Sequence, residues 1–231
     1  MTPNPIPNSI SVPHPVPHID LSFPHRWQAE VLTARPLILP SRHFVYPQAA
    51  EEVERGALEV LIRPDARPEA RPEVPPEAPP DTQPDARPDG SDTQPFLATC
   101  ALGFRDPAAP SGLWSTPKPD EVCAVAGGYA YLIDTATPER FVMIPYRPVL
   151  EIRPLVRENL LLFVGHHSIL AWGCDGQAWE SEKLSDEGVT ITGTDGGTLR
   201  GTGWEMIRDR EKPFAIDLRS GLLLPEPPPG Q

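Results

Sequence analysis

"LLLFVGHHSILAWGCDGQAWESEKL", residues 160–184, decides how this chain folds. Short apolar runs stop at Gly165, resume at Ile169 and stop again around Asp175-Gly176. Runs this short, rich in branched and aromatic residues and closed by glycine or aspartate, are β-strands rather than helix turns. With Asp175-Gly176 at the centre of a type I′ turn, Cys174 faces Gln177, Gly173 faces Ala178 and Trp172 faces Trp179. The two tryptophans then form a cross-strand pair, a cohesive use of aromatic rings. Their rival use is as an exposed platform for a sugar or other planar ligand. His166 and His167, adjacent on a strand, would point to opposite faces, so one metal could not readily use both.

The same grammar extends outward. FLATCALGF, EVCAVAGG, YAYLIDT, RFVMIPY, VLEIRPL, GVTITG, GTLRG and PFAIDL are short and bounded by Gly, Pro, Asp or Asn. No run of ten residues keeps a 3.6-residue period, so the carboxy-terminal half is expected to be all-β. Upstream, HRWQAEVLTARPLILP and ALEVLIRP hold two more strand-like runs, joined through QAAEEVERG, a candidate short helix.

Proline sets the boundaries. Of 33 prolines, seven fall in residues 1–24 and ten in 64–95. The first stretch is expected to be a disordered, extended tail. The second repeats P-[DE]-x-x seven times from Pro64 to Ser91, which forbids helix and supplies almost nothing for a core. The expectation is one all-β domain over 25–224, interrupted by a solvated insertion at 64–95 and followed by a short tail at 225–231. Propeller-like or openly stacked antiparallel sheets are the expected architecture, with a β-sandwich as the alternative.

Aspartates give the stack a period. Asp134, Asp175 and Asp217 each follow an apolar strand, 41 and 42 residues apart. Asp106 has a similar context but is out of phase. Repeats of this length with four short strands have the size of propeller blades. The aspartate turn of residues 214–222 resembles the turns of quinoprotein-type and WD-type propellers, over residues 121–224. The chain lacks the Gly-His and Trp-Asp dipeptides of WD repeats and the docking pattern of quinoprotein blades, so the resemblance implies a fold type and no cofactor.

The bulk charge and the missing motifs narrow function. A net charge of −12 argues against nucleic acid or anionic membrane as partner. Eight acids against three arginines in residues 64–95 supply part of that charge. Three scattered cysteines, Cys100, Cys123 and Cys174, suit reduced thiols in a cytoplasmic protein. The amino terminus lacks the basic and apolar regions of a signal peptide, and no apolar run approaches membrane-spanning length.

Nucleophile elbow, P-loop, dinucleotide fingerprint and zinc-protease signatures are all missing. "TDGGTLRGTGW", residues 194–204, has the glycines of a phosphate loop but neither its lysine nor its helix, and reads as a hairpin at Asp195-Gly196. Glu180, Glu182, Asp186 and Glu187 read as solvated acids. Ser168 lacks a demonstrated partner, and Cys174 lacks a basic activator. No catalytic residue, cofactor or metal is assigned. The expected function is a non-catalytic module binding a protein or small molecule, with Trp172, Trp179, His166, His167 and Asp175 as candidate surface. The alternative is a hydrolase or lyase whose acids and histidine gather from several strands. Exposed Trp114 or Trp204 would favour binding. A deep pocket joining a histidine of the pair to two acids would favour the enzyme.

Overall fold

The computed structural model describes residues 17–48, 56–65, 94–106 and 108–225. The chain is all-β, with four sheets. Sheet I orders its strands β2 (Trp27–Leu32), β4 (Ala57–Pro64), β5 (Phe96–Ala101) and β3 (His43–Tyr46). Sheet II holds β1 (His18–Asp20), β6 (Gly112–Ser115), β7 (Glu121–Ala126), β8 (Tyr129–Asp134) and β9 (Phe141–Met143). Sheet III is the meander β10 (Glu151–Leu155), β11 (Leu160–Val164), β12 (Ile169–Gly173) and β13 (Gly176–Glu180). Sheet IV is β14 (Val189–Asp195), β15 (Thr198–Glu205) and β16 (Arg210–Asp217), with Leu223 bridging back to Ile216.

Strand alternation explains how the sheets stack. In β7, Val122 and Ala124 join the cluster shared with Val60, Ile62 and Phe96 of sheet I. Their neighbours Cys123 and Val125 face the other way, among Phe163, Leu170 and Trp172 of sheet III. Sheet III repeats the device: Leu162, Val164 and Ala171 turn toward Val189, Leu199 and Ile216 of sheet IV. Both faces of the middle sheets are buried, so their strands read as continuous apolar runs instead of alternating ones. Among the described residues, the three clusters join I to II, II to III and III to IV. None joins IV to I, so the stack is open.

The 41- and 42-residue spacing marks the sheets themselves. Asp134 ends β8, Asp175 lies between β12 and β13, and Asp217 ends β16: in each case the third strand of a consecutive meander passes to its fourth position. Asp134 Oδ1 accepts from the amides of Ala136 and Thr137, and Asp217 Oδ1 from those of Arg219 and Ser220. Those amides hold the Asp217 carboxyl below its usual range. Burial opposes ionisation of Asp134, but the Lys118 ammonium and the two amides outweigh it, and its pKa is lowered too. Asp175 departs from the pattern. Among the described residues its carboxylate accepts no such bond, and it stands exposed in the turn.

Several boundaries move. The amino-terminal stretch expected to be a disordered tail up to residue 24 enters the fold within its last eight residues. His18–Asp20 pair in parallel with Gly112–Trp114, and Phe23 is buried with its amide donating to Ser115 Oγ. HIDLSF has no proline between Pro17 and Pro24, so its backbone donors are free to pair. Gly112 lets the strand approach, because a Cβ there would overlap the His18 backbone. Pro64 closes β4, and the Asp65 amide donates to the Arg26 carbonyl, so the insertion starts one or two residues later than expected. The rest of the tail, most of the candidate helix QAAEEVERG, residues 66–93 and residues 226–231 lie outside the described residues. No helix among those described is long and apolar enough to cross a membrane.

Candidate functional site

The tryptophans of the opening stretch do not face each other. Gly173 pairs with Gly176 and Trp172 with Gln177, and a bulge then sets Ala171 against Trp179. Positive φ falls on Gly176 (φ 110°), which pairs with Gly173, and not on Cys174 or Asp175, so the turn centres on Cys174-Asp175 and Ala178 is the extra residue of the bulge. Trp172 therefore points into the layer between sheets II and III, and Trp179 into that between III and IV. Both are buried, as is Trp114. An exposed aromatic platform on these residues is excluded.

Each indole instead fixes a neighbouring sheet. Trp172 Nε1 donates to Glu121 Oε1 at 2.8 Å, and Trp27 Nε1 donates to the Glu121 carbonyl at 3.1 Å. Burial raises the Glu121 pKa, with Asp134 adding to the rise, while hydrogen bonds from Trp172 and Thr116 and the charge of Lys118 oppose it. Trp179 Nε1 donates to the Leu218 carbonyl at 2.7 Å, and the Trp179 ring covers Gly221 (φ 73°), where a side chain would collide with it.

His166 and His167 form the tip between β11 and β12, and their backbones act as a buckle. The His166 carbonyl accepts from the Gly188 amide, and the His167 carbonyl from those of Leu184 and Ser185. His167 Nδ1 bonds the Ser185 carbonyl at 3.0 Å. No group of three His, Cys, Asp or Glu able to hold a metal occurs among the described residues. The pair gathers no acid pocket; it secures residues 184–188 against sheet III.

That segment forms one wall of a groove of about 590 Å³. β16, REKPFAID, supplies the floor from both its faces, through Lys212, Pro213, Phe214 and Ala215, so the groove follows the strand's edge. Gly201, directly opposite Phe214, leaves room for the ring. The opposite wall is Leu223 and Leu224. The Asp217 turn brings them back: the Leu222 carbonyl accepts from the Asp217 amide, and the Leu224 amide donates to the Ala215 carbonyl. Pro213 has no N–H and interrupts the edge, a common protection against further strand pairing. Lys183, Arg200 and Lys212 supply the only charges of the lining among the described residues. Lys183 pairs with Asp186 at 2.6 Å; Arg200 and Lys212 have no ion-pair partner among the described residues.

The sequence reading missed these groove residues, but it also missed a histidine–acid pair. Thr99 Oγ1 donates to Glu59 Oε2 at 2.6 Å and contacts His43 Nε2 at 2.8 Å, across β5, β4 and β3. Burial and the Arg35 charge lower the His43 pKa against the pull of Glu59. The Thr99 hydroxyl is wholly buried and both its bonding directions are taken, so no substrate reaches it as a nucleophile. Burial pushes the thiols of Cys100 and Cys123 far up as well. Compared with protein-family models and with curated proteins, the chain matches none.

Proposed function

We propose that the protein is a binding module whose site is the groove along β16, and that its ligand is a small molecule. The observation carrying this reading is the groove itself. Its volume of about 590 Å³ lies in the range of small-molecule sites, and it combines a mostly apolar lining with a few polar groups. It contains no carboxylate, histidine, thiol or hydroxyl to act as acid, base or nucleophile, which supports binding over hydrolase or lyase chemistry. The frame suits this role. Trp179 fixes the returning 218–224 segment and the His166-His167 buckle fixes Leu184, so the walls are held before a ligand arrives. The repeated sheets are read as related units of propeller-blade type. The three unpaired cysteines are in keeping with a cytoplasmic setting.

The test is amide chemical-shift mapping on the full chain during titration with a small-molecule fragment mixture. Shifts should concentrate at Leu184, Arg200, Phe214 and Leu223, and Ala215→Trp, which fills the groove, should abolish them. Shifts confined to other surfaces, or persisting unchanged in Ala215→Trp, overturn the proposal.

A further inference from the structure

Resting on the groove as a binding site, we infer that its ligand is an amphipathic anion: a carboxylate carrying an alkyl chain or a flat apolar body. The sign of the lining is the first reason. Lys183, Arg200 and Lys212 line it, with no acidic lining residue among the described ones, on a chain whose net charge is −12. At physiological salt, charges beyond roughly 8 Å are largely screened, so these local cations outweigh the distant acids. Asp186 already neutralises Lys183, which leaves Arg200 and Lys212, on opposite faces of sheet IV, as separate cations bordering the groove. A guanidinium presents two parallel N–H donors that match the two oxygens of a carboxylate, so Arg200 is the head-group partner, while Lys212 adds positive charge from the other face of the strand.

The second reason is the apolar surface beside those cations. Leu184, Phe214, Leu223 and Leu224 line the groove, and a bare inorganic anion would leave that surface wet. A ligand with an apolar body covers it and gains the free energy of removing it from water. The two features together ask for one molecule with a charged head and an apolar remainder.

Isothermal titration of the full chain at 0.15 M salt compares octanoate with octyltrimethylammonium, the neutral octyl glucoside, and acetate. Octanoate should bind at least tenfold more tightly than each of the others. Arg200→Gln, at an exposed position, should weaken octanoate about tenfold or more, the usual cost of a lost charge-assisted bond, and Lys212→Gln should weaken it less, with the melting transition unchanged in both. If octyl glucoside binds as tightly as octanoate and Ala215→Trp blocks both, the groove stands as a site and the anionic assignment falls. Acetate binding as tightly as octanoate removes the apolar half of the inference. Octanoate binding that ignores both charge substitutions overturns it as well. If none of the four probes binds, and the fragment titration also leaves the groove unshifted, the binding reading and the ligand class fall together.

Discussion

Trp172→Phe tests whether the indole nitrogen anchors sheet III to a buried carboxylate. Phenylalanine keeps most of the apolar burial between sheets II and III and deletes the Nε1 donor that lies 2.8 Å from Glu121 Oε1. A hydrogen bond to a charged group contributes about 1.5–3 kcal/mol, and the smaller ring adds roughly 1 kcal/mol in lost packing. Well above the folded-state pKa of Glu121, where the carboxyl is ionised, the expected loss is therefore about 2.5–4 kcal/mol. At pH 4 the carboxyl is protonated in both folded and unfolded chains, and only a neutral bond of about 1 kcal/mol is lost with the packing.

The direction follows from the raised pKa. Because burial lifts the folded-state pKa of Glu121 above its ordinary 4.5, the folded chain binds this proton more readily than the unfolded one. That contribution is complete below pH 4.5 and is lost as pH rises through the folded-state value. Removing the Trp172 donor lifts that value further, so the variant loses more stability on the alkaline side. Urea unfolding followed by far-ultraviolet circular dichroism, at several pH values from 4 to above the folded-state value, measures the difference. In Glu121→Gln the extra pH dependence of Trp172→Phe should vanish, a double-mutant test of the pair. An equal loss at pH 4 and well above the folded-state value would refute the role of the indole donor.

Two further outcomes test the frame. Gly201→Ala should destabilise by 2 kcal/mol or more, roughly the cost of overpacking, because its Cβ would overlap the Phe214 ring and the Thr190 carbonyl. Gly193→Ala, with nothing within 4 Å of its Cβ, should be neutral or slightly stabilising; equal melting temperatures for the two variants would contradict the close approach. Replacing residues 66–93 by a short Gly-Ser linker should hold or raise stability by up to about 1.5 kcal/mol, the saving in loop closure, since β4 and β5 already pair antiparallel from Ala57–Ala101 to Ile62–Phe96. A melting temperature several degrees lower would show that the repeat carries structure.

The strands themselves were largely legible, because each is a short apolar run with a marked end. The sequence also carried the sheet period in Asp134, Asp175 and Asp217. What it hid was register. An Asp-Gly pair fits either the centre of a two-residue turn or, as here, its second half, with the glycine already the first paired residue of the next strand, and the two differ by one residue. Moving the turn by one residue would still leave both rings on one face, with Trp179 opposite Leu170; the bulge before Trp179 sets it against Ala171 and sends the rings to opposite faces. The same one-residue slip occurs at the hairpin expected at Asp195-Gly196, whose turn is Gly196-Gly197, closing on Asp195–Thr198; at Gly127-Gly128, as there, both glycines have positive φ, and that hairpin closes on Ala126–Tyr129. β1 and β3 escaped notice because each is held by a parallel partner distant in the chain, β6 and β5, and not by a local turn.

The groove was hidden for a different reason. Its cations come from three separate segments, and no spacing in the chain relates Lys183 to Arg200 or Lys212. The apolar residues of β16 read like those of any half-buried strand, and nothing local says whether another strand or sheet will cover them. That depends on where the stack ends. In sheets II and III the run of apolar residues is consumed on both faces, whereas sheet IV is the last layer joined by a buried cluster. Among the described residues its last strand is followed by a turn and the Leu222–Leu224 return, which bridges Ile216. Among the described residues no further sheet covers the apolar surface along Phe214, and the two cations beside it, without ion-pair partners among those residues, are the reason for proposing a ligand there.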